Sequence, residues 1–228
     1  AGRPRPACPQ VRPADRLNGL GRPYACPVRY GERVELGEAP ALDAEALAVE
    51  VGARVGELRR RRGWSLSEMA RRAGLGKATL SELEAGRRNP TLETLYALTS
   101  AMGLPLSAVI PGGERREQGV PSPVVSGRAV DALLLERFDD VGVVTELYRL
   151  RIRAGVRQIS PGHAPGVREY LTVYAGVAEV GDPDDPLVIP AGRHGSWDAT
   201  TPHLYAAQDE PVEATLLIRY PVQDTPSA

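Results

Sequence analysis

His163 and Glu169 stand in "ISPGHAPGVREYLTVYAG", Ile159 to Gly176, ahead of a run that alternates like a strand. An imidazole and a carboxylate there are the residue types that hold a divalent cation, or that hydrogen-bond a polar ligand or each other. Well upstream, "RRAGLGKATLSELEAG" offers a different chemistry. It reads as two short helices joined by a Gly-containing turn, the second narrow enough to enter the major groove of DNA. That second helix begins at Lys77. Lys77, Ala78, Thr79, Ser81 and Glu82 take its early or outer positions, while Leu80 and Leu83 must face inward. The Lys, Thr and Ser supply donors and a methyl for base edges, and Glu82 can accept from cytosine N4. Arg71, Arg72, Arg87, Arg88 and Asn89 flank the pair and suit phosphates, which set register but carry little sequence information. No G-x-S-x-G elbow, P-loop or dinucleotide fingerprint occurs, and no residue is assigned a catalytic role.

These residues need scaffolds of two kinds. Leu47, Val51, Val55 and Leu58 fall on one helical face, with Asp43 as N-cap and Gly63 as stop. "SLSE", Ser65 to Glu68, fits a capping box, with Met69, Ala70 and Ala73 inward and Gly74 ending the helix. A third helix spans Lys77 to Ala85, closed by Gly86. In the fourth, Thr91 caps, Leu92, Leu95, Leu98 and Met102 form the buried stripe, and Gly103 stops it. "PLSAVI" is expected as a short fifth helix. Beyond it the period changes from 3.6 to 2. Tyr148, Leu150 and Ile152 alternate with Arg149, Arg151 and Arg153, and Val212, Ala214, Leu216, Ile218 and Tyr220 share a face. Short strands broken by turn signals predict an antiparallel sandwich or barrel. The expected organisation is a disordered Pro/Arg-rich lead over residues 1–41, a helix-turn-helix domain over 42–110, a Gly/Pro/Ser-rich linker over 111–127, a barrel over 128–222 and a tail over 223–228.

Charge divides along the same line. Arg54 to Pro90 holds ten basic residues against four Glu, a local charge of +6, whereas Arg128 to Ala228 sums to −6. Only the first half is therefore suited to a polyanion. No apolar run approaches the roughly 18 residues that span a bilayer, and "AGRPRPACPQ" lacks the apolar core of a signal peptide. Cys8 and Cys26, both in the Pro-rich lead, make neither a disulfide framework nor a metal knuckle. The expected location is cytoplasmic, with no membrane partner.

Residues 58–110 resemble the phage-repressor or XRE (xenobiotic response element) helix-turn-helix family along their length. The match carries "R-x-x-R-G-x-S", "A-x-x-A-G-L", "K-A-T-L-S-x-L-E-x-G" and "N-P-T-L-E-T-L". The resemblance implies a five-helix domain that binds double-stranded DNA, usually as a homodimer on an inverted repeat. Gly76 departs from it, standing where the family usually has a capping Ser or Thr, and Gly is tolerated there.

The stretch from His163 through Glu169 to Gly176 resembles the first motif of the cupin family, and "PHLYAAQDEPVEATLLIRYP" resembles its second, with His203 as a further ligand. The resemblance implies a double-stranded β-helix barrel with His163, Glu169 and His203 at its mouth. The family's second histidine is replaced by Pro165, which offers no side-chain donor. Two His and one carboxylate suffice for non-haem iron or for a catalytic zinc site, so Fe, Zn, Mn or Ni remains an alternative to a metal-free organic-ligand pocket. Tyr170, with Tyr174, Tyr205 and Trp197, is a further pocket-lining candidate, and His194 is the remaining histidine. Arg149, Arg151 and Arg153 are candidates to line the barrel and meet an anion, against a solvated strand face.

The fold class expected is thus multidomain: an all-α five-helix helix-turn-helix domain followed by an all-β cupin barrel. The function expected is a transcription regulator, not an enzyme, whose barrel senses a small-molecule effector. The rival is a mononuclear iron enzyme like the hydroxypropylphosphonic acid epoxidases, which also join an XRE-like domain to a cupin. Their ligand set uses the histidine that Pro165 replaces here, and their helical part has lost its DNA role.

Overall fold

A computed structural model describes residues 44–113 and 123–221. The expected N-cap Asp43, the lead with Cys8 and Cys26, and the C-terminal tail lie outside the described residues. Four α-helices come first: α1 (Ala44–Arg61), α2 (Leu66–Arg72), α3 (Lys77–Glu84) and α4 (Leu92–Met102). Ser65 Oγ accepts from the Glu68 N–H at 3.1 Å to start α2, and Thr91 Oγ1 accepts from the Thr94 N–H to start α4. The capping box is one-sided, because the Glu68 carboxylate turns to Arg71 and Arg72 instead. Gly103, at φ +63°, closes α4 in the left-handed conformation that side-chain-bearing residues avoid.

The expected fifth helix is a single 3-10 turn, Leu106–Ala108. Pro105 fixes its entry, and Pro111 disfavours helical backbone at Ile110, so no full α-turn can develop. One of its N–H groups, that of Ser107, is given to the buried Glu146 carboxylate at 2.8 Å.

α1 and α3 are held at close range. A Cβ at Gly52 would lie 2.1 Å from the Leu83 carbonyl oxygen, so only Gly permits this crossing. Arg59 locks the same pair with a two-pronged bond to Glu84, at 2.6 and 2.9 Å, both side chains about nine-tenths buried.

The β-rich domain contains β1 (Val124–Ser126), β2 (Val130–Asp140), β3 (Val143–Ile152), β4 (Val156–Ser160), β5 (Arg168–Ala175), β6 (Val177–Gly181), β7 (Leu187–Pro190), β8 (His194–Asp198), β9 (His203–Ala207) and β10 (Val212–Pro221). They form two antiparallel sheets, ordered β1-β2-β3-β10-β5-β8 and β4-β9-β6-β7. β1 corrects the linker boundary expected from the sequence: Val124–Ser126, inside the span 111–127, pairs with Asp131–Leu133. The two valines favour extended backbone and find an open edge on β2.

Period-2 burial makes the sheet interior. Glu146, Tyr148, Leu150 and Ile152 of β3 are buried, as are Val212, Ala214, Leu216, Ile218 and Tyr220 of β10. Arg149, Arg151 and Arg153 take the opposite face, so they do not line the interior. Arg151 lies 3.6 Å from Glu213 on the outer surface, and Arg153 holds Asp131 and the carbonyls of Gly127 and Arg128. One continuous cluster of buried apolar residues runs from α1 through α4 into both sheets. The helical domain is thereby docked on the β domain, with Arg137 of β2 reaching Ser107 Oγ and Arg128 N–H reaching Glu93.

Candidate functional site

Two sites emerge, one on the surface of the helical domain and one inside the β domain. On α3, Leu80 and Leu83 are buried, which turns the opposite face outward. Lys77, Ala78 and Glu82 are exposed, and Thr79 and Ser81 are half-buried at the edge of the same face. Arg71, Arg72, Arg87, Arg88 and Asn89 are exposed around it. Arg88 sits 3.8 Å from Glu82, a solvated pair that can part without large cost. Arg71 and Arg72 share Glu68, and Arg72 also stacks 4.4 Å over the Trp64 ring. Gly76 precedes α3 without a side-chain cap.

The second site is buried. His163, Glu169 and His203 come from the loop before β5, from β5 and from β9, and their ligand-type atoms lie within 4.8 Å of one another. All three are buried. His163 Nε2 is 2.8 Å from Glu169 Oε1, and the Tyr205 hydroxyl donates to Glu169 Oε2. His203 Nε2 is 3.5 Å from Glu169 Oε1 and makes no hydrogen bond among the described residues. Its other nitrogen, Nδ1, faces the Thr201 carbonyl oxygen at 2.9 Å, a geometry that needs the proton on Nδ1. Nε2 is then either a lone pair aimed at the cluster or an N–H beside the carboxylate.

Electrostatics favour the second state when the site holds no cation. Burial opposes charge on Glu169, but the two imidazoles outweigh it and hold the carboxyl far below the usual carboxylate range. Burial likewise works against a charged His203, yet the Glu169 carboxylate beside it pushes its pKa up. Around this pair stand Tyr96, Tyr148, Tyr205 and Tyr220, whose pKa values are raised by burial first and by the Glu146 and Glu169 carboxylates second. All four phenols stay protonated at neutral pH, and Tyr148 donates to Glu146 and Tyr205 to Glu169.

The donor set fits a divalent metal by type and by orientation. Two imidazoles and a carboxylate converge, and the Thr201 carbonyl orients His203 as an outer partner orients a metal-bound histidine. Pro165 is exposed and lies apart from the cluster, so the replaced position contributes nothing. His194 opens β8 on the surface and also stands apart.

Tyr170 requires correction. It follows Glu169 in β5, so it points to the opposite face and is half-buried outside the cluster. Tyr174 shares that outer face, bonded to Thr215 at 2.7 Å. Trp197 and Tyr205 do belong to the wall, their rings edge-to-face with centroids 5.9 Å apart. Sequence reasoning missed four residues. Glu146 is buried in β3, where it accepts from Tyr148 at 2.7 Å as well as from Ser107 N–H. Tyr148 and Tyr220 read as ordinary core residues by their alternation. Tyr96 leaves α4 to set its ring edge-on to His163, with centroids 4.7 Å apart. Its spacing of four from Leu92 was the available signal that it shares the buried stripe.

Comparison with known proteins bears on both domains. A helix-turn-helix family model matches residues 55–109. The HTH-type transcriptional regulator SutR of Escherichia coli is 26% identical across 78% of this chain and 98% of its own length. An HTH-type transcriptional regulator of Sinorhizobium fredii, y4dJ, is 46% identical over 24% of this chain and 70% of its own length. A crystal structure of an HTH_3 family transcriptional regulator from Vibrio cholerae shares the fold over 79% of this chain and all of its own, at TM-score 0.66 and 24% identity. Sequence match, helical geometry and shared two-domain fold agree that the chain belongs to the XRE-type helix-turn-helix transcriptional regulators.

Proposed function

We propose that the protein is a sequence-specific DNA-binding regulator that acts as a homodimer on an inverted repeat. Its β domain is a cupin-type double-stranded β-helix barrel that receives a small-molecule effector at His163, Glu169 and His203. The observation that carries this reading is the outer face of α3, which presents Lys77, Ala78 and Glu82 to solvent within a segment of charge +6. Such a role implies a cytoplasmic protein. The effector acts by binding one placement of the domains more tightly than another, since equal affinity would shift nothing. Where the occupant includes a divalent metal, His163, Glu169 and His203 hold it, and it supplies a Lewis acid to an effector's oxygen or nitrogen.

The orientation of His203 favours a second reading, an iron enzyme on the same triad. Pro165 and the intact α3 surface weigh against it. Metal analysis with oxygen-uptake measurements separates the two: near-stoichiometric iron and substrate-dependent oxygen consumption support the enzyme. The regulator is tested by selecting duplexes from a random pool at physiological salt and measuring their mobility shift. Enrichment of an inverted repeat supports it, and a pool that stays random overturns it. In the same assay His203→Ala is expected to keep effector-free DNA binding and to lose any effector response.

A further inference from the structure

Between the helical domain and the mouth of the β domain lies a cleft of about 960 Å³ whose lining contains Arg62, Arg72 and Arg137 and, among the described residues, no Asp or Glu. Two of the guanidiniums are engaged by acids nearby: Arg72 by Glu68 and Arg137 by Asp139. Arg62 differs. Its one described side-chain hydrogen bond is to the Met102 carbonyl oxygen at 2.7 Å, and it has no carboxylate partner among the described residues. Burial lowers its pKa, as expected for a half-buried cation without an anion beside it.

Two hydroxyls in the same lining are also unmatched. Ser100 Oγ of α4 is buried and lacks a hydrogen-bond partner among the described residues; the Tyr220 hydroxyl of β10, more than nine-tenths buried, makes no well-formed hydrogen bond there, although the Glu146 carboxylate lies close enough to raise its pKa. A buried polar atom without a partner is unfavourable unless something completes it. Trp64, Met102, Leu104 and Val144 make the rest of the surface largely apolar.

We propose that this cleft, which reaches His163 at its inner wall, is a binding site for a small organic carboxylate with an apolar body. The carboxylate completes Arg62 through the planar guanidinium, and the Ser100 and Tyr220 hydroxyls add donors from the two opposing domains. The body lies against Trp64 and Leu104. Because α4 and β10 both contribute, the bound anion bridges the helical and β domains. Its consequence for DNA binding rests on the regulator reading above, whereas the binding itself does not.

Full-length protein titrated with benzoate and hexanoate, and with benzamide and hexanamide as neutral counterparts, tests this by ligand-observed NMR and by Tm. Both carboxylates are expected to bind and to raise Tm, with the amides about tenfold weaker or more. Arg62→Gln and Ser100→Ala are each expected to weaken carboxylate binding, the first by about tenfold. Since Arg62 also holds the Met102 carbonyl, Arg62→Lys serves as a folded control that keeps the charge, and it is expected to fall between. Equal binding of acids and amides, no binding of either acid, or full affinity in folded Arg62→Gln would overturn the site. Mobility shifts on the same preparations keep the two ideas separate. Selective DNA binding without carboxylate preference overturns only the cleft, and carboxylate binding without selective DNA binding overturns only the regulator.

Discussion

Single residues divide into those that would read DNA and those that hold the interior together. Thr79→Ala is expected to cost about 1–3 kcal/mol of discrimination at one base position, because it removes a donor and a methyl from the groove face. Arg87→Ala should instead weaken all duplexes alike and reduce the salt slope by about one, the behaviour of a phosphate contact. Competition mobility shifts against single-base operator variants distinguish these outcomes. In the interior, His203 carries a raised pKa and Glu169 a lowered one. The His203 contribution is complete below its ordinary value near 6.5 and is lost as pH rises through its higher folded value. The Glu169 contribution is complete above its ordinary value near 4.5 and is lost progressively as pH falls below that toward its much lower folded value. Metal-free protein is therefore expected to lose stability from about pH 6.5 upward relative to His203→Gln, as read by urea melts with a chelator present. A stability difference that is flat across that range would show His203 to be neutral throughout. That His163, Glu169 and His203 come together was legible in the sequence because their spacing resembles the two cupin motifs. Glu146, Tyr148 and Tyr220 were not, because alternation reports which face a side chain takes and not what polar partner awaits it there.

Elements succeed or fail by how they meet one another. Helices α1 to α4 and their stops were legible from leucine spacing, cap residues and glycines, since these are local signals. The 3-10 turn was misread as a helix because its composition is helical while its flanking prolines confine it to one turn. Arg149 and Arg151 of β3 and Arg153 just beyond it stand in the sequence between an interior anion site and a solvated strand face, and the alternation that buries Tyr148, Leu150 and Ile152 sends them outward, to the solvated side. α1 crosses α3 closely at Gly52, where a Cβ would meet the Leu83 carbonyl oxygen. Gly52→Ala is expected to destabilise the folded protein by about 1–3 kcal/mol, because a backbone carbonyl cannot move aside as a flexible side chain would. It should also reduce operator affinity by displacing α3, which thermal melts and mobility shifts on one preparation would record together. Unchanged stability would mean that α1 slides along α3 freely, contrary to the lock formed by Arg59 and Glu84.

At the scale of the whole molecule, the helical domain is not a free head on a string. Tyr96 of α4 rests on His163, the Ser107 N–H is bonded to Glu146, and one apolar cluster spans both domains. No linear pattern announced this docking, because the contacts join residues far apart in sequence and each segment satisfies its own periodicity alone. The arrangement puts any occupant of the β domain one side chain away from the bundle that carries α3. Tyr96→Phe, which keeps the ring and removes the hydroxyl, should leave operator binding intact, whereas Tyr96→Ala should uncouple the interior from the helices and change DNA affinity. Isothermal titration of each variant with operator duplex measures both. Contact between the outer face of α3 and the duplex is read by mapping amide resonances of the isotope-labelled protein during titration with its selected operator. Lys77 to Glu82, together with Arg87 and Arg88, are expected to shift first and most. Shifts confined to the β domain, with the amides of α3 unmoved at saturation, would contradict that contact.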